Sequence, residues 1–263
     1  MFQKQFQNLP LWQFESLSDY TGITHFVSGR NGGFSHGQKG GLNLSYKVGD
    51  FPGNVDSNRE LLSASLGITI HQLLIPVQTH SMHVKLVDEL SCEEELEDTD
   101  ALVTSAKGIC IAVMSADCVP LLFYDPVANV AGAAHAGWKG TVSRIASATV
   151  QSMMDNFGSL PGNIIACIGP SISPQVYQVG PEVIEVVRNA FGRINGLVNG
   201  INQEGKGYLN LWEANRIQLL ELGLKPENIE VAGICTYTRS EDFFSARKSK
   251  NQAGRFAAGI IIK

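Results

Sequence analysis

Apolar positions recur about every 3.6 residues in four segments of the chain, which is the period of a helix with one buried face. The pattern is clearest over residues 141–157, where Gly158 follows as a helix stop. Another segment begins with Pro181, a residue suited to the first helical position, and ends before Gly192. The predicted helices span residues 56–66, 141–157, 181–191 and 210–222.

Between these segments lie short apolar runs, rich in β-branched residues and bounded by turn residues, which predict strands. Several runs follow one another without an intervening helix, so a strict alternation of strand and helix is excluded. We therefore predict an α+β fold with mixed β-sheets and helices on the outside. Because no linker or repeat is visible, we expect a single domain over residues 1–263. The predicted strands span residues 24–28, 73–77, 83–87, 101–104, 109–115, 120–124, 130–135, 163–168, 229–235 and 257–262.

Composition excludes several classes of protein. Of the 263 residues, 44% are apolar and 17% are charged, which favours a well-filled core over a disordered chain. The formal net charge of −5 argues against a nucleic-acid binder, which needs a surplus of Lys and Arg. The most apolar stretch, residues 108–124, is too short and too interrupted to cross a membrane, and the first residues show no signal-peptide pattern. We expect a cytoplasmic protein without a membrane partner.

Five cysteines and six histidines provide the candidate chemistry. The cysteines are odd in number and form no C-x-x-C pair, which favours a reduced setting over a disulfide framework. His80, Cys118 and His135 each lie near the end of a predicted strand. Two imidazoles and one thiolate make a three-ligand zinc set that leaves a fourth position for water or substrate. Their wide spacing favours a catalytic site gathered from separate strands over a compact structural one.

The same three residues allow two other interpretations. Each could be a structural residue, because a free cysteine often behaves as a small buried hydrophobe. Alternatively, Cys118 is a nucleophile, His135 is its base, and Asp117 or Asp100 is the carboxylate that orients the base. Spacing does not separate zinc ligation from thiol catalysis. The small residues on both sides of His135 indicate close approach of the backbone to a ligand, which favours a site over a plain core.

Three cationic residues are candidates for binding an anionic substrate. Arg30 lies in the Gly-rich segment 28–35, which matches neither a P-loop nor a dinucleotide fingerprint. Lys139 follows Trp138, and Arg247 lies in a cationic cluster further along the chain. A guanidinium can hold a phosphate or carboxylate through two parallel hydrogen bonds, although each of these residues could equally belong to an ordinary surface loop.

Several motifs together resemble the YfiH family, also called the laccase-domain or multicopper polyphenol oxidoreductase family. They extend from near residue 28 past residue 247, so the resemblance covers nearly the whole chain, and in combination they are far more specific than any one of them. The matching segments are residues 28–33, 41–44, 78–80 (Gln-Thr-His), 99–104, 116–120 (Ala-Asp-Cys-Val-Pro), 135–140 (His-Ala-Gly-Trp-Lys-Gly), 168–170 and 235–237 (Cys-Thr-Tyr).

The resemblance implies a single domain with layered mixed β-sheets flanked by helices. It implies a zinc site whose ligands are His80, Cys118 and His135. It also implies a purine nucleoside enzyme that cleaves adenosine, inosine, guanosine and methylthioadenosine with phosphate, and that deaminates adenosine. The expected partners are therefore small molecules, namely purine nucleosides and phosphate. We expect a monomer, since no heptad pattern or extended apolar face is visible.

Residue roles for such a reaction follow from charge and polarity. A phosphate must be positioned beneath the sugar, which suits Arg30 with Lys139 or Arg247 as a helper. Asp117 or Asn43 would contact the ribose hydroxyls or the purine. The predicted catalytic residues are Cys118, Asp117 and Arg30, and the predicted substrate-binding residues are Arg30, Asn43, Lys139 and Arg247.

The copper chemistry in the family label can be tested by counting. A multicopper oxidase needs about eight histidines for its trinuclear cluster and a further blue-copper site. This chain has six histidines and no His-x-His pair, so we expect zinc rather than copper and disfavour polyphenol oxidation. Two functions of other classes stay open: a cysteine-dependent hydrolase or amidase that edits peptidoglycan precursors, and a zinc-binding regulator without enzymatic activity.

Overall fold

The computed structural model describes residues 1–89, 91, 96–250 and 252–263, and the described residues form three sheets and six helices. In spatial order, the first sheet contains β1 (Phe2–Phe6), β2 (Leu9–Gln13), β3 (Ile23–Ser28), β15 (Phe256–Ile262), β7 (Cys110–Ser115) and β4 (Leu73–Leu74). The second sheet contains β14 (Ile229–Val231), β10 (Ile165–Ile168), β8 (Val119–Asp125), β9 (Val130–Ala136), β6 (Ala101–Thr104) and β5 (Val84–Leu86). The small third sheet contains β11 (Gln178–Val179), β13 (Gly207–Leu209) and β12 (Val198–Asn199). The helices are α1 (Glu15–Ser18), α2 (Pro52–Leu66), α3 (Trp138–Val142), α4 (Ile145–Phe157), α5 (Pro181–Phe191) and α6 (Leu211–Glu221).

The two large sheets pack face to face, with helices on their outer sides. Alternate residues of β7 show the arrangement: Ile111 and Val113 pack between the sheets, whereas Cys110 and Ala112 pack in the layer that contains Leu62 of α2. The outer face of the second sheet packs against α4, α5 and α6. Strands buried on both faces read as continuous apolar runs, which is why the sequence revealed them. The predicted α+β fold with layered mixed sheets is confirmed.

The helix predicted over residues 141–157 is wrong in one respect, because the structure divides it into α3 and α4. Arg144 stands at the break with a left-handed φ of 63°. Its guanidinium donates to Glu221 at 2.7 Å and to the Ala190 carbonyl at 3.3 Å, and it lies over the Phe191 ring. These contacts with α5 and α6 stabilise a break that the apolar period does not reveal.

Other element boundaries also differ from the prediction. The helix predicted to begin at residue 56 begins at Pro52, and the strands predicted over residues 73–77 and 229–235 end at Leu74 and Val231. The hairpin of β1 and β2 and the small third sheet were not predicted. Four of the five β1 residues are exposed, so this edge strand has no buried face that would show as an apolar pattern.

The structure also bears on the cysteines and on membrane insertion. The four cysteines among the described residues are free, and Cys92 lies outside the described residues. In the described part of the chain, no helix has both the length and the apolar character needed to cross a bilayer.

Candidate metal centre and adjoining cavity

Strand register brings one histidine and one cysteine together at an edge of the second sheet. β9 runs antiparallel to β6 and β8, so the end of β9 lies beside the beginnings of both strands. His135 lies near the end of β9 and is paired with Pro120 of β8. Cys118 immediately precedes β8, and Asp100 immediately precedes β6. Residues that are far apart in sequence therefore meet at this edge.

His80 reaches the same place from the loop after β4. The side-chain amide of Gln78 donates to the Met114 carbonyl at 2.8 Å and accepts from the Met114 N–H at 2.7 Å, so it replaces a strand pair and anchors the loop to β7. His80 then adopts a left-handed φ of 65°. As a result, Nε2 of His80 lies 3.8 Å from Sγ of Cys118, and its ring centre lies 4.8 Å from that of His135.

We call His80, Cys118 and His135 the ligand cluster. Their donor atoms all lie within 4.8 Å of one another, and no other group of this kind is present in the ranges that the structure describes. Zinc bonds of about 2.0–2.3 Å in a tetrahedron place donor atoms roughly 3.5 Å apart. The observed spacing and the N/N/S donor set therefore fit a metal such as zinc.

Asp100 is a buried carboxylate that contacts both histidine ligands of the cluster. It accepts a hydrogen bond from Nδ1 of His135 at 2.8 Å, which leaves Nε2 of that ring free to coordinate. It also accepts from the backbone N–H groups of Thr79, His80 and Ser81 at 3.0, 3.2 and 2.8 Å, and from the Ser81 hydroxyl at 2.9 Å. Outer partners of this kind fix the tautomer and orientation of a metal-binding histidine.

Neighbouring charges and hydrogen bonds at the ligand cluster lower the pKa values of Asp100 and Cys118. Burial would raise the pKa of Asp100, but the hydrogen bond and charge of His135 and the N–H groups of Ser81 and Thr79 hold it below its usual range. Burial would also raise the pKa of Cys118, yet His135 and His80 lower it. In contrast, burial raises the pKa of Cys110 and Cys167. Cys118 therefore differs from Cys110 and Cys167 in favouring the thiolate, the form that binds metals or attacks electrophiles.

Gly137 explains why the residues after His135 are small. A Cβ atom at this position would lie 2.9 Å from Sγ of Cys118 and 2.9 Å from Cδ2 of His80. The backbone thus passes directly against the ligand cluster, as the sequence predicted for this segment.

The ligand cluster opens into a cavity of about 550 Å³. Its lining combines apolar residues with three arginines, Arg59, Arg247 and Arg255. The Arg247 guanidinium lies 5.0 Å from the centre of the Tyr177 ring and donates to the Gln178 carbonyl at 3.1 Å. A volume of this size is in the range of small-molecule sites.

Asp117 also borders the cavity, but its carboxylate is engaged by the protein. It accepts from the Thr236 hydroxyl at 2.6 Å, the Ser245 hydroxyl at 3.1 Å and the Arg247 N–H at 2.7 Å. With a left-handed φ of 88°, Asp117 lies in the short connection that crosses from β7 to β8 and carries Cys118. The residue therefore joins the backbone of Arg247 to the loop of the ligand cluster.

Three predicted site residues do not line the cavity. Arg30 is not among the side chains that line the cavity; its guanidinium donates to the carbonyls of Ser240 and Gly40 and lies over the Phe244 ring. Asn43 is fully buried and does not line the cavity. Lys139 is exposed, lies 5.9 Å from the Trp138 ring centre and is also absent from the cavity wall. The structure does not bring these three side chains to the ligand cluster.

The sequence interpretation missed Arg59, Arg255 and Tyr177. Arg59 lies on α2, where it reads as an ordinary charged residue on an exposed face. Arg255 immediately precedes β15, and the pairing of Phe256 with Ser115 brings it close to the Cys118 loop. A strand-end position next to Gly254 is the one signal that points to Arg255, and no local motif marks the other two residues.

Comparisons with known proteins place the chain in a family. Residues 24–263 match the family model described as multi-copper polyphenol oxidoreductase laccase. The chain is 40% identical over 257 residues to a Bacteroides thetaiotaomicron protein named purine nucleoside phosphorylase, with 95% of each chain covered. It is 39% identical over 230 residues to adenosine deaminase RL5 from an unknown prokaryotic organism, covering 85% of this chain and 87% of the relative. The crystal structure of Bacillus licheniformis hypothetical protein YfiH is similar with a TM-score of 0.90 at 32% identity, covering 97% of both chains.

The chain therefore belongs to the multi-copper polyphenol oxidoreductase laccase family, to which its motifs were assigned by resemblance. The site itself holds three candidate ligands in one cluster, and the whole chain has six histidines. A trinuclear copper cluster requires more histidines than this. The number of histidines therefore argues against a trinuclear copper cluster, and the ligand cluster offers donors for a single metal ion.

Proposed function

We propose that this protein is a zinc-dependent purine nucleoside enzyme that cleaves adenosine, inosine, guanosine and methylthioadenosine with phosphate and also deaminates adenosine. The observation that carries the proposal is one cavity bordered both by the ligand cluster and by three arginine side chains. A reaction between a nucleoside and a phosphate dianion needs a polar reaction centre beside cationic groups. The names of two relatives, purine nucleoside phosphorylase and adenosine deaminase, support this substrate class.

In phosphorolysis, a phosphate oxygen forms a bond to C1′ of the ribose while the bond from C1′ to the purine nitrogen breaks. The electron pair of that bond leaves with the base, which gains the proton that phosphate loses, and the other product is ribose 1-phosphate. Positive charge develops on the ribose, so phosphate and sugar must be held in line. In deamination, water adds at C6 of adenosine, and ammonia leaves to give inosine.

The side chains around the cavity have different roles in these reactions. His80, Cys118 and His135 would hold the zinc ion, which when bound supplies Lewis acidity toward a water or a substrate atom. Asp100 holds the proton on Nδ1 of His135, and Asp117 holds the segment that carries Arg247. Arg247 is assigned to substrate binding. The substrate-binding roles predicted for Arg30, Asn43 and Lys139 stay predictions, since no contact with the cavity supports them.

One observation favours a second candidate function, a cysteine-dependent hydrolase or amidase. Cys118, His135 and Asp100 stand in the order nucleophile, base and orienting carboxylate, and His135 donates to Asp100 at 2.8 Å. Of the two carboxylates considered from the sequence, Asp100 is the one in contact with the imidazole. The two functions differ in their need for metal, because a thiolate nucleophile works without one.

The test is to incubate the purified protein with adenosine, with and without phosphate, and to separate the products by chromatography. We expect adenine and ribose 1-phosphate with phosphate, and inosine without it. Both activities should disappear on treatment with a chelator and return with zinc. No product from any purine nucleoside would contradict the proposal, and activity toward an amide substrate that survives the chelator would establish the second candidate.

A further inference from the structure

Two of the cavity arginines, Arg59 and Arg255, are tied to one short stretch of backbone. The Leu44 carbonyl accepts from Nε of Arg59 at 2.9 Å, and the Leu44 N–H donates to the Arg255 carbonyl at 3.0 Å. The Asn43 side chain accepts from the Arg255 N–H at 2.9 Å. Helix α2 and the beginning of β15, which are far apart in sequence, are therefore joined through Asn43 and Leu44. We call Arg59 and Arg255 the arginine pair.

Among the described residues, the arginine pair keeps hydrogen-bond donors free, and the Arg59 guanidinium also lies 4.6 Å from the centre of the Tyr46 ring. Nε of Arg59 is used by Leu44, and Nη1 of Arg255 donates to the carbonyls of Ala253 and Gly254. Within residues 1–89, 91, 96–250 and 252–263, the other guanidinium nitrogens of the pair have no hydrogen-bond partner and neither arginine forms an ion pair. Asp56 acts on Arg59 through its charge, but its carboxylate accepts from the Tyr46 hydroxyl at 2.5 Å.

Both arginines are half-buried residues that line the cavity of the ligand cluster. Burial lowers the pKa of each, because the charged form has lost part of its hydration. A cation that is partly desolvated and lacks a carboxylate partner gains most from an anionic ligand that brings several acceptors. Arg255 lies close enough to Cys118 and Asp117 for their charges to act on it, so an anion held there would adjoin the reaction centre.

We propose that the arginine pair forms the phosphate-binding subsite of the cavity, with inorganic phosphate as its ligand. This inference rests on the proposed function and deepens it, because it assigns the co-substrate to Arg59 and Arg255 rather than to Arg30. A planar guanidinium can donate two parallel hydrogen bonds to one tetrahedral anion, and both arginines line the same cavity. The nucleoside would then occupy the rest of the cavity, beside the bound phosphate.

The test measures phosphate rather than overall activity. Arg59→Gln and Arg255→Gln should each raise the KM for phosphate roughly tenfold to a hundredfold, the loss expected for charge-assisted hydrogen bonds, with a smaller effect on the KM for the nucleoside. Arg59→Lys keeps the charge but not the paired donors, so it should recover only part of the loss. Arg188→Gln, an exposed arginine on α5 outside the cavity wall, serves as the matched control.

Direct titration of inorganic phosphate into the metal-loaded protein, followed by calorimetry, separates this inference from the proposed function. The wild-type protein and Arg188→Gln should bind phosphate, and the two cavity variants should bind it at least about tenfold more weakly while keeping their metal content. Unchanged phosphate binding in both cavity variants would overturn the inference even if nucleosides are cleaved. A parallel titration with adenosine 5′-monophosphate identifies the source of the phosphate group. If the wild-type protein binds this ester but not free phosphate, the assignment is overturned.

Discussion

The ligand cluster and the arginine pair border the same cavity, but they are held in different ways. The cluster depends on strand register, which aligns Cys118 with His135, and on one buried carboxylate, Asp100. The arginine pair depends on a loop, because Asn43 and Leu44 bind groups from α2 and from the start of β15. Sheet register is strongly specified wherever a face of the sheet is buried, whereas a loop requires its own polar network.

Because they are held by different contacts, the ligand cluster and the arginine pair should be disrupted by different substitutions. Loss of a residue in the ligand cluster should remove metal, while loss of a residue behind the arginine pair should weaken phosphate binding and leave the metal in place. Four substitutions test this separation, and they follow in order of decreasing expected effect.

Replacing Cys118 with alanine removes the only thiolate of the cluster, and two histidines alone rarely hold zinc tightly. We expect Cys118→Ala to lose its metal during purification and to fall more than about a hundredfold in turnover. Metal analysis by mass spectrometry and an adenosine assay measure the two effects. Cys235→Ala, a buried cysteine outside the cavity wall, is the matched control and should keep its metal. A full metal content in Cys118→Ala would contradict the ligand assignment.

Asp100→Asn keeps the shape of the side chain but replaces one acceptor oxygen with a donor. The new amide must face either Nδ1 of His135 or the backbone N–H groups of residues 79–81, so one histidine ligand is disturbed in either orientation. We expect zinc affinity to fall about tenfold to a hundredfold in competition with a chromophoric chelator. Asp98→Asn, an exposed carboxylate of the same loop that contacts Thr79, provides the comparison. Equal affinities for the two variants would show that Asp100 does not position the ligands.

Asn43→Ala tests the support behind the arginine pair. The fully buried amide accepts from the N–H groups of Ser45 and Arg255 and donates to Asp50 at 2.7 Å, so alanine leaves several buried groups without partners. We expect a loss of about 2–3 kcal/mol in unfolding free energy and a higher KM for phosphate. Metal content should not change. Denaturant unfolding and phosphate kinetics measure these effects, with the exposed Asn31→Ala as control. A loss of metal would mean that the ligand cluster and the arginine pair are not independent.

Arg30→Gln should have the smallest effect on catalysis. The Arg30 guanidinium bonds to two carbonyls and covers Phe244, so we expect a loss of about 1–2 kcal/mol in stability and less than about a twofold change in the KM for phosphate. Lys139→Gln, at an exposed residue, should change stability less. If Arg30→Gln weakens phosphate binding as strongly as Arg59→Gln, the role predicted for Arg30 from the sequence stands.

Much of the fold could be predicted because its central strands are buried on both faces. The runs that became β6, β7, β8 and β9 are continuous and apolar, and their ends marked the positions of Cys118 and His135. Exposed β1 and the left-handed break at Arg144 gave no such pattern, because their conformations depend on pairing and on contacts with distant elements.

The site was predictable only where chemistry and strand ends coincide. Imidazole and thiolate groups are uncommon enough that three strand-end positions suggested a metal site. Arginines are common on surfaces, so nothing in the local sequence separates Arg59 from Arg188. The two arginines differ in their surroundings, because Nε of Arg59 donates to the Leu44 carbonyl and Arg59 lines the cavity. This contact joins residues fifteen positions apart and involves a loop without regular structure. It therefore produces no periodic pattern in the sequence.

Gly137 has a consequence for how this sequence can vary. Because Gly137 has no Cβ, Sγ of Cys118 and Cδ2 of His80 can lie directly against its backbone. The constraint on this position is steric, since its backbone φ of −66° suits any residue. In a saturation library, position 137 should therefore be as intolerant as the ligands themselves, although glycine offers no side chain to metal or substrate. Even the Cβ of alanine would push Cys118 and His80 apart. Substitutions at this position are therefore excluded by steric clash and not by a lost chemical group.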